Sequence, residues 1–528
     1  MKRLLPIALC LILLSNLTGC AQLHPAESLS SETEADTVVQ LDWYVNYNWF
    51  KTRWGGNAVS DAITAKTGVD IRFISPDGNE SVTLNALIAG NNLPDLVTLG
   101  WWEPQLNEII QGGMAYALNE LADQYDTYFW AVAREELLNW YAREDGNVYC
   151  YPNSAYTPGD YSSDIPISSN QTFLVRKDMY EALGCPDMTT PEGFADAVRA
   201  AAQAFPTVNG EPIIPIGAHE FTERGCDSFD IFLQNFLAIP YEKDGKYYDR
   251  FTDPEYKAWL KVFRQLGQEG LLSSDIFIDK RAQMEEKIAD GRYFCMLYQR
   301  TDMEAQQRAL AAKNPDSVYI AVDGPRNSNG VPYMLPGSGI NGWTVTLISK
   351  NCANPEKAIK LMSFMMSEEG QKLLALGIEG ENYTMADGRA VLSDRTMQLL
   401  EEDYSSYVRE VGANDTYWML QDNRMQTKWM PLDEPEILQM EQWTYPYVCY
   451  TAQYDAYFEL GSEADIANKK IDAIHGEMLP KLLLASSEAE FERLWAEYVR
   501  MRKDSGLAVV LEERTRQMNA AKEKLGIE

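Results

Sequence analysis

VQLDWYVNYNWFKTRWGGNAVSDAITAKTGVDIRFISPDGNESVTLNALIAGNNLPDLVTLG, residues 39–100, reads as strand, helix, strand, helix, strand. Val39, Leu41, Trp43 and Val45 alternate with the two-residue period of a strand. Gly55 and Gly56 follow a loop. Val59, Ala62, Ile63 and Ala65 then recur at helical spacing, and Gly68 is a good residue to end that helix. Val69, Ile71 and Phe73 alternate again. A helix over 81–89 carries Leu84, Leu87 and Ile88 on one face and closes at Gly90. Pro94 precedes a third strand over 95–99. A β-α-β-α-β order demands parallel strands and right-handed crossovers.

Open parallel sheets bind ligands beyond the carboxyl ends of their strands, near a switch in strand order. The loops at those ends are Asn46-Tyr47-Asn48-Trp49-Phe50 and Gly100-Trp101-Trp102-Glu103-Pro104. They are neighbours if the first strand lies between the second and third. Both are rich in aromatic rings, whose flat faces beside a few polar groups suit the apolar C–H faces of sugars and other amphipathic ligands. Tyr47, Trp49, Trp101 and Trp102 are therefore candidate ligand contacts. The competing reading buries the same rings where the lobe closes over itself.

A second α/β region follows. Residues 171–176 read as a strand, and Thr190 caps a helix with Pro191 at its first position. Phe194, Val198, Ala201, Ala202 and Phe205 form its apolar stripe. Asp244-Gly245 between tyrosines signals a hairpin. Residues 293–297 form a strand whose end carries Tyr298-Gln299-Arg300, and 317–322 form another. Gln299 and Arg300 are the candidate contacts on this side, Arg300 because a guanidinium can fork two hydrogen bonds to vicinal hydroxyls or to a carboxylate. A structural ion pair is the alternative for Arg300.

The amino terminus, MKRLLPIALCLILLSNLTGC, sets the compartment. Two cations, an apolar run from Leu4 to Leu14 and small residues at the cut describe a secretory signal peptide over 1–19. The run is too short for a permanent span of a core roughly 30 Å thick. Leu17-Thr18-Gly19-Cys20 resembles a bacterial lipobox, which implies that Cys20 becomes the lipidated first residue. Residues 20–38 are polar and acidic and read as a flexible tether.

The formal net charge is −32, and −34 once Lys2 and Arg3 are removed. Such a surface repels nucleic acid and anionic headgroups. About 509 mature residues suit two lobes. Cys150, Cys185, Cys226, Cys295, Cys352 and Cys449 are widely spaced, without a Cys-x-x-Cys pair, and read as mostly free thiols, although an extracellular setting leaves disulfides open. His24, His219 and His475 lack metal-ligand spacing, so no metal or other cofactor is expected.

Residues 337–384, GSGINGWTVTLISKNCANPEKAIKLMSFMMSEEGQKLLALGIEGENYT, carry a glycine-rich crossing, a strand and two capped helices. Together with LNALIAGNNLPDLV at 84–97, LVRKDMYEALG at 174–184, TTPEGF at 189–194 and WLKVFRQLGQEGLLSSDIF at 259–277, this resembles the extracellular solute-binding proteins of bacterial ABC importers. That broad family includes maltose-binding protein, and the likeness is to its long Gram-positive lipoproteins. The resemblance implies an α/β, two-lobed periplasmic-binding-protein-like fold of type II. The ligand cleft lies between lobes that close like a hinge.

By analogy the chain crosses near 155–170, 330–342 and 390. That gives lobe 1 as 39–165 plus 338–390, and lobe 2 as 166–337 plus 391–528 with extra carboxyl-terminal helices. Trp343 falls at the cleft floor. The aromatic cluster Trp429, Trp443, Tyr445, Tyr447 and Tyr450 reads as core. Helices over 487–503 and 508–524 read as surface packing on a lobe. Some oligosaccharide binders of this type carry an Asp/Asn-rich calcium loop, whereas Thr207-Val208-Asn209-Gly210-Glu211 offers too few oxygens for a cage.

The expected role is capture of a carbohydrate, an oligosaccharide by preference, and delivery to membrane permeases by a monomer anchored on the outer face of a Gram-positive cytoplasmic membrane. A surface sensor or adhesin would share the fold. A secreted glycoside-active enzyme would need a carboxylate pair across a cleft. With 78 Asp and Glu residues that signal is empty, and no nucleophile elbow, HExxH or phosphate-cradling loop is present. The chain is therefore read as a binder.

Overall fold

The computed structural model describes residues 38–431 and 435–527. The signal segment, Cys20 and the tether up to residue 37 lie outside the described residues. Val39–Val45 (β1), Ala58–Thr67 (α1), Val69–Ile74 (β2), Glu80–Ala89 (α2) and Leu96–Gly100 (β3) follow the expected alternation. Asn57 caps α1 by accepting from the Ser60 N–H, and Gly68 closes it at φ 65°, a left-handed conformation that glycine adopts without strain. Tyr151–Pro152 (β4) ends this pass. Next come Gln171–Arg176 (β5), Pro191–Ala204 (α3), Ile214–Gly217 (β6), Pro254–Gln268 (α4), Tyr293–Gln299 (β7) and Tyr319–Ala321 (β8). The return is Leu335–Pro336 (β9), Thr344–Ile348 (β10), Pro355–Met366 (α5) and Glu368–Leu376 (α6). The remainder is Asp394–Glu402 (α7), Tyr404–Glu410 (α8), Pro435–Thr444 (α9), Val448–Cys449 (β11), Glu463–Leu483 (α10), Glu488–Asp504 (α11) and Leu507–Leu525 (α12).

Two sheets organise the molecule. The first has the order β2-β1-β3-β10-β4, and the second β8-β5-β7-β6. β1 pairs in parallel with both β2 and β3, so it does lie between them. β10 runs antiparallel to β3, with Thr344 opposite Gly100, which brings Trp343 to the sheet edge where β1 and β3 end. Each sheet has its own core. Trp43, Val45, Leu99, Leu347 and Met362 belong to the first, and Phe173, Phe194, Trp259, Phe263 and Phe294 to the second. Ala155 lies in the first core and Phe173 in the second, while Leu335 lies in the second and Ile340 in the first. Those two stretches are where the chain passes between lobes. β9 and β11 pair in parallel there.

The residues after 390 divide differently from the sequence reading. Leu399, Tyr407, Val411, Tyr417, Trp418 and Leu420 pack into the first core, not the second lobe. Backbone demand explains why: the Val59 N–H at the start of α1 donates to the Val411 carbonyl at 3.0 Å, and Asn57 Nδ2 donates to Tyr417 Oη at 2.7 Å. Trp429 packs with Leu376, Tyr383 and Ala390, whereas Met440 packs with Tyr293 and Tyr298. The chain therefore passes to the second lobe between Trp429 and Met440 rather than near 390, and it touches the first core once more at Ala452 before the closing helices. α11 is also more than a surface helix, since Phe491, Leu494, Trp495 and Tyr498 fill the second core. α10 is tied to that core by His475, whose Nε2 lies 2.5 Å from Asp230 Oδ1 and whose Nδ1 lies 2.8 Å from Tyr498 Oη.

Residues 207–212 form a small hairpin with Asn209 and Gly210 at its positive-φ turn. The six cysteines from Cys150 to Cys449 are thiols. No described helix is long and apolar enough to cross a membrane.

Candidate functional site

The carboxyl ends of β1 and β3, the start of β10 and the loop after β4 share one edge of the first sheet. Four rings from three distant segments meet there. Trp49 and Trp343 lie nearly parallel, 7° apart with centroids at 6.1 Å, and remain 55% and 38% exposed. Tyr47 stacks under Trp343 at 5.6 Å, and Trp418 closes the cluster from beneath at 4.5 Å from Trp343. Isolated exposed tryptophans are unremarkable, but an adjoining exposed pair on a buried aromatic base is a ready-made stacking surface. The Tyr47 side chain is buried, and its hydroxyl has no hydrogen-bond partner among the described residues.

The two aromatic loops are locked to each other. Asn46, fully buried, accepts from Tyr44 Oη at 2.9 Å and donates to the Glu103 carboxylate at 2.5 Å. Glu103 also accepts the Gly100 N–H at 2.8 Å. Burial pushes the Glu103 carboxyl up to about 7, against the pull of the Gly100 and Asn46 hydrogen bonds.

The second lobe contributes polar groups. A cavity of about 530 Å³ lies between the lobes, lined by Tyr156, Asn170, Gln171, Gln299, Arg300 and Glu441 among others. Its volume is in the range of small-molecule sites. Arg300 Nη2 sits 2.9 Å from Glu441 and donates to Ser168 Oγ at 2.8 Å, so the structural ion pair is present. Gln299 Nε2 donates to Asp302, which also meets Arg281 at 3.1 Å.

Beside them, His219 follows β6 and stacks on Tyr298 at 4.2 Å. The Ser228 hydroxyl donates to the Leu297 carbonyl at 2.6 Å, so His219 Nδ1, 2.9 Å from Ser228 Oγ, is the donor of that contact. Burial, aided by Arg281, holds this imidazole neutral, its value down to about 3. Its Nε2 is thereby a buried acceptor without a partner among the described residues.

The structure thus divides the sequence candidates. Tyr47, Trp49 and Trp343 come together. Gln299 and Arg300 line the cavity. Trp101 is half-buried against the first core, the competing reading for these rings. Trp102 is exposed but turns to a different crevice, shared with Pro104, Tyr457 and Phe458. Trp418, Tyr156 and His219 were missed. Trp418 sits in a short apolar run, 417–420, with no strand-end signal, and His219 lies two residues beyond a strand too short to show a clear period.

The family model for bacterial extracellular solute-binding proteins matches residues 58–379, more than half of the chain. Lipoprotein LipO of Bacillus subtilis (strain 168) is 22% identical over 345 residues, which cover 62% of this chain and 64%, under two thirds, of LipO. The polygalacturonan/rhamnogalacturonan-binding protein YtcQ of the same organism is 22% identical over 397 residues, 73% of this chain and 75% of YtcQ. Among solved structures, the S. pneumoniae ABC-transporter substrate-binding protein FusA in complex with kestose superposes with a TM-score of 0.70 at 14% identity. The superposition covers 92% of this chain and 99% of FusA, a likeness of fold. With two lobes around an interlobe site and a family match across both, the chain belongs to the bacterial extracellular solute-binding proteins.

Proposed function

We propose that this chain is the substrate-binding subunit of an ABC importer and that it captures an oligosaccharide between its lobes. The observation that carries the reading is the exposed Trp49–Trp343 pair on its buried base of Tyr47 and Trp418. A sugar ring stacks its C–H face on such a surface, while Gln299 and Arg300 supply hydrogen bonds from the second lobe. The rings touch one another, so the surface is a platform rather than a cage for a cation. YtcQ, named for binding pectic polysaccharides, and FusA, solved with kestose, support the ligand class.

The lobes close on ligand because contacts to both faces form only in the closed state. The ligand is released unchanged, a reading that the match to a family of binding proteins supports. Cys20 carries the lipid, in keeping with the relative LipO. The monomer sits on the outer face of a Gram-positive cytoplasmic membrane and hands its ligand to permease subunits.

A thermal-shift screen over defined mono- and oligosaccharides, followed by calorimetry, tests the reading. A true ligand raises the melting temperature by mass action. Failure of every oligosaccharide, with a hit among peptides or amino acids instead, sinks the carbohydrate assignment. An unmodified mature terminus by mass spectrometry sinks the anchor.

A further inference from the structure

A second crevice between the lobes, of about 470 Å³, lies apart from the tryptophan platform. Its first-lobe wall is Trp102 and Pro104. The Trp102 ring lies flat over Gly100, where an added Cβ would come within 2.7 Å of it, and the side chain remains 44% exposed. The opposite wall comes from the second lobe: Tyr457 and Phe458, with Arg514 on α12. Tyr457 Oη reaches the Pro104 carbonyl at 3.3 Å and so spans the two walls.

Arg514 is the informative residue. Its guanidinium is sandwiched between the rings of Tyr247 and Phe458, at 5.1 and 5.2 Å from their centroids. Among the described residues no carboxylate is in ion-pair contact with it. Of the acids lining the same crevice, Asp465 is bound to Lys469 at 2.8 Å and to the Gly461 N–H at 2.9 Å, and Asp472 accepts from Asn468 at 2.9 Å while lying within the field of Arg514. A stacking face and a guanidinium whose hydrogen bond from Nη1 to Tyr247 Oη is a long one, 3.4 Å, therefore face each other.

The crevice is also next to the platform along the backbone. Trp102 precedes Glu103 and Tyr47 follows Asn46, and those two residues are hydrogen-bonded across β1 and β3. Neighbouring strands are about 4.8 Å apart, so the two aromatic loops leave the sheet from adjacent strand ends.

We infer that this crevice is an outer carbohydrate subsite. Trp102 stacks a residue of the same glycan chain whose inner residues lie against Trp49 and Trp343, and Arg514 donates to its substituent oxygens. The inference rests on the carbohydrate reading above, and it makes the preferred ligand a chain rather than a single sugar.

Calorimetry on the full-length protein with two homologous probe series, oligogalacturonides and inulin-type fructo-oligosaccharides of two to six residues, tests it. For the series that binds, affinity rises about tenfold or more with length in the parent protein. Trp102→Ala and Arg514→Gln each remove most of that rise, so the ratio of mutant to parent Kd grows with chain length. Trp102→Phe restores it. Unchanged melting temperatures separate this from misfolding, and the Phe variant keeps the test open should the Ala variant fold poorly. A mutant effect that is the same at every length, or no effect, overturns the subsite while leaving the carbohydrate reading intact. Failure of both series to bind, with a hit among peptides or amino acids in the thermal-shift screen instead, overturns both.

Discussion

The two faces of the cleft are built on opposite physical terms. The first-lobe edge presents large apolar rings, two of them exposed and resting on buried neighbours. The second-lobe edge presents polar groups that already have partners: Arg300 with Glu441, Gln299 with Asp302, His219 Nδ1 with Ser228. Covering an exposed ring removes apolar surface from water and needs no bond to be broken first. A hydrogen bond from Arg300 to ligand has to be shared with, or exchanged for, one to Glu441, so its net value is modest. On the proposed reading, the first face therefore supplies affinity, and the second supplies orientation and selectivity.

The largest test of that division removes the platform. Trp49→Ala combined with Trp343→Ala is expected to weaken oligosaccharide binding by about 3 kcal/mol, over a hundredfold, with little change in melting temperature. Calorimetry and circular dichroism check the two halves of this statement, and a double variant that binds like the parent places the ligand elsewhere. Arg300→Ala should show the reverse pattern, costing about 2 kcal/mol of folding stability in urea titrations because Glu441 is left half-buried beside a lost partner. Adding Glu441→Ala should recover part of that loss, and a purely additive pair would remove the ion pair from the account.

Glu103 offers a pH test of the locked loops. Its folded value, about 7, lies above the value of a free carboxyl, so the folded state holds this proton more tightly. The associated stability is fully present below about pH 4.5 and is lost as pH rises to about 7. Glu103→Gln is expected to flatten that decline by on the order of 1 kcal/mol, less than the whole shift implies because solvent screens a half-buried group. Melting curves from pH 4.5 to 8 measure it, and identical slopes in both proteins count against a raised Glu103. Smallest of all, Gln299→Ala should change binding by less than about 0.5 kcal/mol, since its amide is engaged with Asp302. A loss as large as that of a tryptophan variant would move affinity to the second face.

Local signals were enough for much of this fold. The period-two runs at 39–45 and 69–74, the helix between them and its glycine stop lie where alternation and capping put them. The Asp244-Gly245 turn takes positive φ at both residues, as a two-residue hairpin requires. The division of the residues after 390 was not legible in the same way. α7 and α8 are amphipathic helices whose apolar faces fit either lobe, and the choice is made by partners such as Asn57 and Val59, about 350 residues away in sequence.

The same holds at the site. Strand periodicity put Tyr47, Trp49, Trp101 and Trp102 at strand ends, because local backbone geometry determines where a strand stops. It could not say which rings meet. Trp49 joins Trp343 and Trp418, nearly 300 and 370 positions later in the chain, while Trp102, in the loop that Glu103 ties to Asn46, turns to another crevice. Sequence by itself determined element order and the aromatic character of the strand-end loops, both of which follow from short-range patterns. Only the tertiary structure decided which rings form the platform, which charges are already paired and which lobe takes each late helix. Those outcomes depend on contacts between segments far apart in the chain, and no local period encodes them.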